Sequence, residues 1–77
     1  MEQRRGESSQ VKYIDMKPYM LKELAAIYGV DKRTFLKWIK PYNEEIGQRI
    51  GHYYNINQVK IIFWKLSLPN TIKLLNN

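Results

Sequence analysis

The chain has 77 residues, no cysteine, and thirteen Lys or Arg against seven Asp or Glu, for a net charge of +6. That length allows one domain with a modest core, and the missing cysteines exclude disulfides and Cys-based zinc sites. The charge points to phosphate backbones or anionic membrane surfaces as partners, while no apolar run approaches the ~20 residues of a membrane span.

Met1 to Gln10 (MEQRRGESSQ) is polar, without an apolar anchor or the apolar stretch of a secretory signal. It reads as a disordered arm, residues 1–10, of a cytoplasmic protein, with Arg4 and Arg5 available to touch DNA. Val11 to Ile14 (VKYI) has the β-branched and aromatic content of a short strand, and Pro18 interrupts any helix begun before it.

Leu21, Leu24, Ala25 and Tyr28 recur at helical spacing and form one apolar stripe, which Gly29 terminates. Asp31 is a good N-cap for a second helix reaching Ile39, where Pro41 disfavours helical geometry at Lys40. Tyr42 to Gly47 reads as a connector with at most one helical turn at Asn43 to Ile46. Gln48 to Tyr54 (QRIGHYY), with Gly51 at its centre, reads as a small β-hairpin. Asn55 and Gln58 have the spacing of a capping box opening a third helix, whose stripe is Val59, Ile62, Phe63 and Leu66. Pro69 closes that helix and the domain, residues 11–69. Residues 70–77 are expected to add a turn or to fray as a tail.

The first two helices are separated only by Gly29, Val30 and Asp31. A short turn with glycine is what a helix-turn-helix needs to set its helices at a steep angle. Small Ala25 permits close approach, and Val30 can fill the wedge. At 100° per residue, Phe35, Trp38 and Ile39 cluster on the inner side of the second helix. Arg33, Lys37 and Lys40 fall within an arc of about 60° on the outer side, with Lys32 and Leu36 beside them. Such a face can enter a major groove, where Arg and Lys reach guanine edges or phosphates and an exposed Leu36 meets a thymine methyl. Arg49 and His52 flank the hairpin tip and are the wing residues expected to meet phosphate or the minor groove. One histidine without cysteine makes no metal site, and no cofactor is implied.

The segment YMLKELAAIYGVDKRTFLKWI resembles the helix-turn-helix of MerR-like and excisionase-like winged-helix proteins, with Glu23, Leu24, Ala25, Gly29, Val30 and Thr34 in that family's pattern. RIGHYYNINQVKII is similar to its wing and following helix, with Tyr54 and Val59 at matching places, so the likeness spans about Tyr19 to Leu66. The resemblance implies a mainly α, winged helix-turn-helix fold: three helices and a two-stranded β-hairpin wing. It implies sequence-specific binding of double-stranded DNA in transcription control or recombination, hence nucleoid association. Lys32, Arg33 and Lys37 would be recognition-helix contacts and Arg49 a wing contact. Leu36 stands where the family usually has Arg, which moves the expected phosphate contact to Lys37. Met20 replaces the usual Ser or Thr cap, and the dimerising helix and effector domain of full-length regulators are not expected within these 77 residues.

An enzyme reading finds few carboxylates, one histidine and no Gly-rich phosphate loop. A membrane-surface role would need a longer amphipathic helix than these stripes provide. The rival to DNA binding is a protein-interaction module. Ile61 and Trp64 both point away from the third helix's stripe and ask for cover from Val11 to Ile14, from the tail, from a homodimer or from another protein.

Overall fold

A computed structural model describes residues 11–75. The expected N-terminal arm, with Arg4 and Arg5, lies outside the described residues. In chain order the elements are β1 (Lys12–Ile14), β2 (Tyr19–Met20), α1 (Leu21–Ile27), α2 (Lys32–Ile39), a 3-10 turn (Lys40–Tyr42), α3 (Asn43–Ile46), β3 (Tyr53–Tyr54), α4 (Ile56–Leu66) and β4 (Ile72–Leu74). The fold is α-rich, with one antiparallel pair, β2–β3, and one parallel pair, β1–β4.

Helix α1 starts without a side-chain N-cap. Met20 N–H donates instead to the Glu23 carboxylate at 2.8 Å, the reciprocal half of a capping box. Its end is a Schellman motif: Gly29 N–H donates to Ala26 O at 3.0 Å and Val30 N–H to Ala25 O at 3.0 Å. Gly29 sits at φ +71°, in the left-handed region where glycine meets no Cβ penalty. Two residues later Asp31 caps α2, accepting from Thr34 N–H at 2.7 Å. The turn between the helices is therefore built from local bonds.

The core is one cluster, with Leu24, Phe35, Ile39, Val59 and Ile62 fully buried at its centre. Trp38 departs from expectation: it is 44% exposed. Phe35 and Ile39 mark the middle of the buried arc of α2, and Trp38 and Leu36 lie about 80° to either side, on its two rims. Trp38 packs edge-on against Tyr28 (6.3 Å between centroids) and leaves the rest of its ring in solvent. Tyr28 also packs on Phe35 and Phe63, and its buried hydroxyl has no hydrogen-bond partner among the described residues.

Three further expectations are corrected. The two-stranded hairpin reduces to a single bridge, Ile50 to Tyr53, closed by reciprocal bonds of 3.1 and 3.0 Å around Gly51 and His52. The strand that follows, β3, has its ladder with β2 (Tyr19 with Tyr54, Met20 with Tyr53), so Tyr53 is bridged on both sides. Second, residues 72–74 neither fray nor turn: they pair with β1 in parallel, Lys12 to Ile72 through Ile14 to Leu74. Third, Ile61 is half-buried against the core while Trp64 is 74% exposed, so the two do not share an open face. Helix α4 is packed by α2, α3 and β3, which cover more of its circumference than one stripe would. The expected α4 stripe itself holds, with Val59, Ile62 and Phe63 buried and Leu66 half-buried.

Candidate nucleic-acid interface

The end of α3 places the turn that faces α2. Gly47, at φ +81°, reverses the chain after Ile46. Gln58, buried at the start of α4, then anchors the segment: its side-chain amide donates to Ile46 O at 3.0 Å and to Gln48 O at 2.9 Å. Its carbonyl accepts from Asn55 N–H at 2.9 Å, while Asn55 Oδ1 accepts from Gln58 N–H at 2.8 Å, so the capping box is complete. One side chain thus caps α4 and fixes the backbone just before Arg49. From the other side, Leu21 N–H donates to His52 O at 2.8 Å, tying the turn to the start of α1.

These ties bring α2 and the turn around one depression. Its walls are Lys32, Arg33, Leu36, Lys37 and Lys40 from α2, Arg49 and His52 from the turn, and Leu21 from α1. The seven residues expected to form the recognition helix face and the wing therefore share one surface. It carries five cations and no carboxylate. Leu36, expected to stand exposed among the cations, is half-buried and forms the floor with Leu21. The turn closes over that rim of α2, as a second hollow lined by Leu36, Lys40, Gly47, Arg49 and Tyr54 shows. On the opposite side the surface continues past His52 to Lys22 and Met20.

Arg33, Lys37 and Lys40 are exposed, as is Lys32. Among the described residues the one ion pair joins Lys65 to Glu45 at 3.2 Å, and neither of its members lines the depression. Asp31, at the N-terminus of α2, has its carboxyl held below the usual carboxylate range by the hydrogen bond from the Thr34 backbone, then by the Thr34 side chain, with a weaker attraction from Lys37.

Leu21, Lys22, Tyr54 and Gln58 belong to this surface or its supports and were not singled out from the sequence. Leu21 read as part of the α1 apolar stripe, and both Leu21 and Tyr54 have most of their area in the core. Gln58 was visible only as a cap, because its two long-range bonds depend on where Ile46 and Gln48 are folded. The exposed Trp64 has Lys65 Nζ 4.5 Å from its ring centroid. Among the described residues, no group of three or more His, Asp or Glu is placed to hold a metal ion, and no described helix is long and apolar enough to cross a membrane.

No protein-family model matches the chain, and neither a curated protein nor a solved structure is found to be similar to it.

Proposed function

We propose that this chain binds double-stranded DNA, with α2 as the recognition helix and the Ile50–Tyr53 turn as a short wing, in the manner of a winged helix-turn-helix regulator or recombination factor. The observation that carries this reading is the carboxylate-free depression where α2 and the turn converge. Five cations line it, and two leucines floor it. A duplex backbone carries one negative charge per ≈ 1.7 Å of axis, so a close-set cluster of cations meets several phosphates at once. The exposed α2 face supplies Arg33 and Lys37 for base edges or phosphates, and half-buried Leu36 supplies apolar contact for a thymine methyl. Nucleoid association follows from this reading.

The test is a charge reversal. Arg33→Glu with Lys37→Glu changes two exposed side chains and leaves every core residue in place. The double variant is expected to keep the wild-type melting temperature within a few degrees and to lose retardation of a labelled random duplex. A retained shift overturns the reading. A second reading, a protein-interaction module or homodimer, is favoured by Trp64 alone, the exposed aromatic on α4. Trp64→Ala would abolish such docking and leave duplex binding unchanged.

A further inference from the structure

Among the described residues, Arg49 is the one cation of the depression whose side chain is hydrogen-bonded within the chain. Its Nε–H donates to Gly51 O at 3.0 Å, and its Nη1 donates to the Tyr54 hydroxyl at 3.4 Å. The guanidinium carbon lies 5.7 Å from the centroid of the Tyr54 ring. Tyr54 is in turn only 3% exposed, fixed in the core and in the β2–β3 pair. Its hydroxyl is therefore a rigid post at the edge of the cationic surface. An arginine has five N–H donors. The two bonds use two of them, and within the described residues three are left for an incoming acceptor.

We infer that Tyr54 is a positioning residue for DNA binding: it never reaches the duplex, but its hydroxyl and ring hold the Arg49 guanidinium in a phosphate-ready orientation before the DNA arrives. This rests on the DNA-binding reading above and adds to it the group that sets the wing contact. The physical reason is entropy. A free arginine loses its rotamer freedom on binding, whereas one already clamped has lost it on folding, so the contact is stronger for the same bonds. Among the described residues the Lys side chains of α2 have no such clamp, and they act as point charges on flexible stems.

Tyr54→Phe isolates the clamp. It keeps the ring, the core volume and the strand backbone, and removes only the hydroxyl. Affinity is measured for a labelled random-sequence duplex of about 20 base pairs, roughly two helical turns, with the wild type, Tyr54→Phe, Arg49→Lys and the double variant. Tyr54→Phe is expected to weaken binding about three- to tenfold and to leave the melting temperature nearly unchanged. In the Arg49→Lys background the same change is expected to cost nothing further, because lysine cannot make both bonds. In the DNA-free protein, rotation of the Arg49 terminal nitrogens about Nε–Cζ, read from NMR line shape, is expected to be slow in the wild type and faster in Tyr54→Phe.

The proposal is overturned if the wild type binds duplex and Tyr54→Phe binds as well, or if Tyr54→Phe costs as much in the Arg49→Lys background as alone. It is also overturned if guanidinium rotation is the same in both proteins. If the wild type itself leaves the duplex unbound, the DNA-binding reading falls, and that result is distinct from a wild type that binds with an indifferent Tyr54.

Discussion

Neutralising α2 should change the salt dependence of DNA binding by an amount the structure sets in advance. Five cations line the depression. If each neutralises one phosphate, the slope of log affinity against log salt is about −0.9 per contact, or about −4.5 in total. A fourfold rise in salt, from about 50 to about 200 mM, then weakens binding roughly 500-fold. Arg33→Gln with Lys37→Gln removes two of the five charges. Glutamine has a helix propensity close to that of Lys and Arg, and both positions are exposed, so α2 should persist. The slope should fall to about −2.7, and the same salt step should cost only about 40-fold. Fluorescence anisotropy titrations at four or five salt concentrations, on one duplex, measure both slopes. Equal slopes for the two proteins would mean that Arg33 and Lys37 neutralise no phosphate, and the placement of the recognition helix would be refuted. A wild-type slope near zero would remove the electrostatic basis of the proposal and turn attention to Trp64.

Three predictions concern the scaffold. Gln58→Leu keeps the side-chain volume but breaks its two donated bonds and one accepted bond; at about 1 kcal/mol each, the loss is about 3 kcal/mol, seen in thermal melts as a drop of more than about 10 °C. Ser67, which ends α4 at φ 62°, is the one non-glycine residue at positive φ among the described residues; Ser67→Gly should stabilise the fold by about 1 kcal/mol, and a destabilised variant would show that its hydroxyl matters more than its backbone. The lowered carboxyl of Asp31 makes a stability contribution that is present above its ordinary titration range and lost as pH falls through the depressed folded-state value. Asp31→Asn keeps an N-cap oxygen and should flatten that acid limb in melts taken below about pH 4, whereas an unchanged limb would assign it to other carboxylates.

Much of the helical scaffold was legible residue by residue. The end of α1 at Gly29, the Asp31 cap and the Asn55–Gln58 capping box are each satisfied by bonds within a few positions of chain, so local chemistry is enough to specify them. The buried stripes of α1 and α4 followed from periodicity for the same reason. The depression was half legible. Its α2 half lies on one helix face and could be counted off at 100° per residue, but nothing local says that Arg49 and His52 face that helix.

What the chain alone determined is therefore the three main helices α1, α2 and α4, the tight turn between α1 and α2, and the cationic side of α2, because these depend on neighbours one to five residues away; the helical geometry at Lys40 and the 3-10 turn over Lys40–Tyr42 ran against the expectation from Pro41. Tertiary structure decided which strands pair, how far each rim residue is covered, and where the turn at Gly51 comes to rest. β3 chose β2 across more than thirty positions, β4 found β1 across sixty, and Gln58 reached back ten and twelve residues to pin Gln48 and Ile46. Such choices turn on which backbone edges and apolar flanks are still unsatisfied once the helices have packed, a property of the assembled chain that no short window of residues contains.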